Sequence, residues 1–168
     1  MPSALTVSGL LRIDCDLTNT LTVGAVSDSS VVLENIAFAN GTGASQANIY
    51  IRKSGSVATS GTDTTTLSSV TVPTQSGTTY TASIDKVRLL YVKNTSAAQF
   101  LGIMLADSSS TPYWSAEVHP GGVLLWSVGV SNVEGSATAT PVDKVIAYSI
   151  SGNTLAATYD MVLVGTKT

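Results

Sequence analysis

Charge is scarce in this chain. Only 11% of its 168 residues are Asp, Glu, Lys or Arg, and it has one histidine and one cysteine. Enzymes draw on clusters of titratable groups whose pKa values are set apart by their surroundings. Here such groups are few and scattered, which argues against an enzyme. The lone Cys15 excludes an intrachain disulfide framework. The eight Lys and Arg residues are spread along the chain, so counterion release at a phosphate backbone has no cationic cluster to act through. Nucleic acid is therefore not an expected partner. No stretch approaches the ~20 apolar residues that span a bilayer, and no membrane association is expected. Residues 1–7 lack the cationic start and apolar core of an export signal, which points to synthesis in a cytoplasm. Helices are not expected either, because no window repeats its apolar residues every 3.6 positions.

What is present is a β-pattern. The chain is 43% hydrophobic with a mean hydropathy of +0.30, the opposite of a disordered composition. Thr, Ser, Gly, Ala and Val form short apolar runs between turn residues, at the spacing of a sandwich or barrel. Alternation predicts strands over Leu5–Cys15, Val31–Phe38 and Asn48–Arg52. Ser54–Thr66, rich in Ser, Thr and Gly, reads as a long loop. Further strands are expected at 67–72, 78–84, 86–93, 99–106, 113–118, 123–128, 145–148 and 159–165. Asn94–Ala97 reads as a hairpin turn, and His119-Pro120-Gly121-Gly122 as a sharp reversal. Ser131–Pro141 is a second small-residue loop. The expectation is one all-β domain over 1–168, an antiparallel two-sheet sandwich of about ten strands, with residues 1–8 as an extended N-terminal arm.

Three motifs carry a resemblance. Val87-Arg88-Leu89-Leu90-Tyr91-Val92-Lys93-Asn94-Thr95-Ser96 resembles the LYVKNTS strand and turn of phage virion structural proteins. Val118-His119-Pro120-Gly121-Gly122-Val123-Leu124 looks like their L-x-PGG-x-L turn. Tyr159-Asp160-Met161-Val162-Leu163-Val164-Gly165 looks like their closing YDIVLIG strand. Together they cover about half of the chain, residues 86 to 165, in matching order. The resemblance implies a jelly-roll-like sandwich in a tailed-phage particle. Its best-fitting version is a capsid decoration, or cement, protein. Such a protein is made in the host cytoplasm and sits as a homotrimer on the outer capsid surface, bound to the major capsid protein. A head-fibre, tail or receptor-binding component would share the same C-terminal half.

The residue-level candidates are weak as chemistry. His119 lacks a matched nucleophile and orienting carboxylate, and reads as an exposed turn residue before Pro120. Asp14 and Asp16 share one strand face, with Cys15 on the inward side; two carboxylates could ligate a hard cation, but a solvated face is the simpler reading. Glu117, Glu134 and Asp143 form no recognisable acid pair. Tyr113, Trp114 and Trp126 could make a glycan-stacking platform. Period-2 alternation instead puts Trp114 with Ala116 and Val118, and Trp126 with Leu124 and Val128, facing inward as core. No catalytic residue, cofactor or metal is expected. The low charge also suits a surface hidden in subunit contacts. Pro2, Ser3, Leu5 and Val7 in the N-terminal arm are the expected contacts with the shell or a neighbouring copy.

Overall fold

The computed structural model describes residues 7–21, 24–40, 46–73, 79–127 and 142–167, with side chains for Phe38 and within 46–71, 81–127 and 142–167. Among them there are thirteen strands and no helix. β1 (Val7–Leu21) and β2 (Gly24–Asn40) form a long hairpin, and β3 (Gln46–Ala47) adds a short parallel pairing to the end of β2. The body follows as β4 (Ile49–Val57), β5 (Thr62–Thr66), β6 (Val70–Pro73), β7 (Thr79–Ala82), β8 (Lys86–Asn94), β9 (Leu101–Ala106), β10 (Pro112–Val118), β11 (Val123–Ser127), β12 (Lys144–Ser149) and β13 (Ala157–Thr166).

Eight of these strands make two antiparallel four-stranded sheets, ordered β10-β9-β12-β5 and β11-β8-β13-β4. Among these eight the chain changes sheet at nearly every connection, and only β9 and β10 follow one another within the same sheet. Two four-stranded sheets interleaved in this order are a jelly roll, the double-sheet way of managing strand edges. The expected antiparallel two-sheet sandwich is thus the observed fold.

Local chemistry explains the elements. β-Branched and aromatic residues at every second position suit a pleated, half-buried surface. Ile51, Leu90, Val92, Met161 and Leu163 from one sheet meet Leu101, Ile103, Leu105, Val145 and Ala147 from the other. All ten are buried, and they form the main core. The excursion through the β6–β7 hairpin adds Leu67, Val70, Ala82 and Ile84 to the same core.

Three expectations fail, for physical reasons. Ser54–Thr66 is not a loop: β4 runs through Val57, and β5 starts at Thr62. The reversal is only Ala58–Gly61, where the Gly61 amide donates to the Ala58 carbonyl at 2.8 Å and Ser60 takes φ +59°. Threonines in Thr62–Thr66 are good strand formers, and Gly55 holds its place because the Tyr159 ring lies directly over it. Asn94–Ala97 is not a hairpin turn, since β8 and β9 lie in different sheets; it carries the chain across the sandwich. The residues 67–69, expected as strand, form a turn leading into β6.

Arg88 is a further surprise. Opposite Val164 and Gly165 on β13, β8 carries one extra residue, because Leu89 pairs with Val164 and Val87 with Gly165. Arg88 occupies this bulge and is 1% exposed, although arginine is rarely buried so fully. Bulges re-aim a side chain without ending the ladder.

Candidate functional site

The three motifs converge at one end of the jelly roll. Asn94, fully buried at the end of β8, donates from Nδ2 to the Gln99 carbonyl at 2.7 Å and to the Val118 carbonyl at 2.9 Å. Its Oδ1 accepts from the Ser96 amide at 3.0 Å, and its own amide donates to the Gly122 carbonyl. The crossover turn is thereby tied to the end of β10 and to the Pro-Gly-Gly turn. Thr95 donates its amide to the Thr158 carbonyl, and the Ser96 hydroxyl accepts from the Thr158 amide at 2.7 Å. Thr158 lies in β13 directly before the third motif.

The Pro-Gly-Gly turn is closed by the Gly122 amide donating to the His119 carbonyl at 2.8 Å. Pro120 pre-sets the second turn position, and Gly121 takes φ +72° at the third, which disfavours residues with a Cβ. Nearby, Gln99 Oε1 accepts from the amides of Thr154 and Leu155. Asn153 bonds the Phe100 amide and carbonyl. Three buried amide side chains therefore replace the ladder where the strands end. The motif positions are framework, satisfying backbone groups that would be costly to bury unpaired.

A second polar cluster lies between β4 and β5, at the edges of the two sheets. Lys53 donates to Asp63 at 2.7 Å and to the Thr65 hydroxyl at 3.1 Å, while the Tyr159 hydroxyl donates to the other Asp63 oxygen at 2.7 Å. Burial raises the Asp63 pKa, but hydrogen bonds from Lys53 and Tyr159 and the Lys53 charge outweigh it, so the carboxyl sits below its ordinary value. Burial first, then the bond to Asp63 and its charge, push the Tyr159 phenol far above its ordinary value. The trio is an ion pair with a locked neutral phenol: it joins β4 and β13 of one sheet to β5 of the other. Chemically it is a clasp, since the acid stays ionised and the phenol keeps its proton. The sequence reading missed it because Tyr159 is distant in the chain from Lys53 and Asp63, and Asp63 lay in the supposed loop.

The third feature is the outer face of the β11-β8-β13-β4 sheet. Ladder register sets Leu125, Tyr91, Val162 and Arg52 in one row across it, and Ser127, Leu89, Val164 and Tyr50 in the next. A further row holds Val123, Lys93, Asp160 and Ser54. Leu89 and Val164 are buried under Phe38 of β2 and Ala47 of β3, with Tyr91, Leu125 and Val162 packed around them. Beyond that cover the face opens to solvent, with Val123 56% and Tyr50 46% exposed.

The sequence candidates disperse. His119 is an exposed turn residue whose ring meets Phe100 edge-on at 4.9 Å. Trp114 and Trp126 pack against the main core as expected, leaving Tyr113 exposed and apart from any aromatic platform. Glu117 pairs with Gly102 and Lys144, next to Asp143, with Ala106, so the two acids sit at opposite ends of β9. Glu134 lies outside the described residues. Asp14 and Asp16 fall on one face of β1 by register, opposite Val31 and Ser29. Among the described residues no group of three or more His, Cys, Asp or Glu could hold a metal ion, and no helix is long and apolar enough to cross a membrane. Val7 opens β1, opposite Phe38; Pro2, Ser3 and Leu5 lie outside the described residues, as does the loop at 131–141. Compared with protein-family models and with curated proteins, the chain finds no match.

Proposed function

We propose that this chain is a non-enzymatic virion structural protein: a capsid decoration protein of a tailed phage, acting as a homotrimer on the outer face of the shell. The carrying observation is the outer face of the β11-β8-β13-β4 sheet, where the small cluster around Leu89 and Val164 is flanked by exposed Val123 on one edge strand and exposed Tyr50 on the other. A face of that kind gains free energy when covered by protein. The resemblance of residues 86–165 to phage virion proteins supplies the context, and those motifs form one hydrogen-bonded corner of the fold. The mechanism is mechanical. A rigid jelly roll bridges neighbouring shell subunits, and several interfaces of ordinary size, engaged together, hold far more firmly than any one alone.

The N-terminal residues, Pro2, Ser3, Leu5 and Val7, are the proposed shell contacts. The test is mass spectrometry of purified particles of the phage that encodes the chain, followed by co-sedimentation of the purified protein with its capsids. The protein should be a stoichiometric particle component, and deletion of residues 1–8 should reduce the bound fraction. Absence from the particles sinks the proposal; full co-sedimentation of the shortened chain sinks the N-terminal contact.

A further inference from the structure

The β1–β2 hairpin is out of scale with its support. Fifteen residue pairs join its strands without a break in register, which at ~3.3 Å per residue gives a ribbon of roughly 50 Å. Four strands at ~4.8 Å spacing make a sheet face only ~19 Å wide. Among the described residues, β2 pairs with the rest of its own chain only at Ala39 and Asn40, alongside β3. Phe38, next to that pairing, packs on Ala47, Leu89 and Val164. A two-stranded hairpin is at best marginally stable alone in water, so a ribbon of this length needs cover.

The ribbon has an apolar side. Partners in an antiparallel ladder share a face, and the face alternates along each strand. The face that carries Phe38 also carries Leu11, Ile13, Leu17, Val26, Val32 and Ile36. Its charged positions are Glu34 and Asp28, both acidic. The opposite face is more polar, with Arg12, Asp14, Asp16, Asn35 and five Ser or Thr, and its large apolar positions are fewer: Leu10, Val31 and Leu33. The exposed outer face of the β11-β8-β13-β4 sheet offers the complement. It is apolar through Val123, Leu125 and Tyr50, and two exposed cations, Arg52 and Lys93, outnumber the one acid, Asp160.

We propose that the occupant of each sheet face is the β1–β2 ribbon of a second copy of this chain, laid apolar side down with Glu34 and Asp28 toward Arg52 and Lys93. Phe38 on Leu89 and Val164 shows the same kind of contact within one chain, and the exchanged ribbon continues that contact past the reach of its own sheet. This arm exchange rests on the proposal that copies associate, and is independent of any capsid.

The test uses the full chain without capsids, in size exclusion with light scattering. The unmodified protein should run as a multiple of its 17.2 kDa chain mass. Reversing the ribbon charges (E34K with D28K), or the sheet charges (R52E with K93E), should raise the dissociation constant on the order of tenfold or more. Combining all four in one chain should restore association. A monomeric unmodified protein, or an oligomer indifferent to both reversals, overturns the proposal. So does a folded four-fold variant that stays monomeric. Hydrogen exchange across a dilution series gives an independent reading on the unmodified protein. Amides of β1 and β2 should exchange faster on dilution, and concentration-independent exchange overturns the arm. An oligomer passing these tests but absent from phage particles would sink the capsid proposal alone.

Discussion

The two sheets contribute comparably to the core and differ on their outer faces. In β10-β9-β12-β5 the outer face is apolar only at its centre, where Ile146 lies between Met104 and Thr64. Its edges are mostly polar: Thr62, Thr64 and Thr66 are exposed on β5, and Ser115 and Glu117 on β10, although Tyr113 of β10 is also 45% exposed. The Tyr148 ring lies over Gly102 and fills the space a Cβ would occupy. Polar side chains along an edge strand discourage pairing with another chain. In β11-β8-β13-β4 the apolar side chains continue out to Val123 and Tyr50 at the edges, and Leu89 and Val164 are buried only because β2 and β3 bring Phe38 and Ala47 over them. The same strand chemistry thus yields one face with little buried apolar surface outside the core and one that carries a second apolar cluster.

The sharpest way to break this comparison is on β13, whose neighbouring residues serve the two cores. Leu163→Ala, in the main core and fully buried, should cost ~2–5 kcal/mol. Val164→Ala, in the small cluster under Phe38, should cost less, about 1–2 kcal/mol. Urea midpoints measured at unchanged slope decide it. Equal losses would mean the outer cluster is as tightly packed as the main core.

Next in size is the clasp between the sheets. Asp63→Asn should lower stability by ~1–2 kcal/mol, because Lys53 and Tyr159 lose a charged partner in a site a quarter exposed. The pH dependence has two arms. The Asp63 carboxyl titrates below its ordinary 3.8 when folded, so its contribution is complete above that value and is lost as pH falls through the lower folded one. The Tyr159 phenol titrates above its ordinary 10.0, so its contribution is complete below pH 10.0 and is lost as the solution becomes more alkaline. Thermal melts against pH should show both arms in the unmodified protein, and no acid arm from this site in Asp63→Asn. An unchanged acid limb would place the titrating group elsewhere.

The smallest effect on stability belongs to the exposed face. Val123→Ser should change the unfolding free energy by no more than ~0.5 kcal/mol, yet reduce self-association seen by light scattering. A variant that associates as the parent does would remove Val123 from the contact surface.

Much of the fold was legible locally. Short apolar runs between turn residues placed the strands around Ile51, Leu89–Val92, Ile103, Ala147 and Met161, and alternation put Trp114 and Trp126 on the core side, because a period of two is written in adjacent residues. His119-Pro120-Gly121-Gly122 was legible for the same reason: its φ requirements belong to Pro and Gly themselves. The stretch from Ser54 to Thr66 was misread, because Gly55 and the serines look like loop until Tyr159 is seen lying across them. None of the clasp was legible, since its three residues meet only when β4, β5 and β13 do.

The sequence by itself determined that this protein is all β, where most strands fall, and that titratable groups are sparse. Those properties depend on residue type and on near neighbours in the chain. Only the tertiary structure decided which sheet each strand joins, and so that Asn94–Ala97 crosses the sandwich where a hairpin was expected. It also decided that Arg88 is buried in a bulge, and that one sheet's outer face carries a second apolar cluster. Hydrogen-bond partners in a jelly roll come from distant parts of the chain, and whether a given valine is core or surface depends on what those partners bring over it.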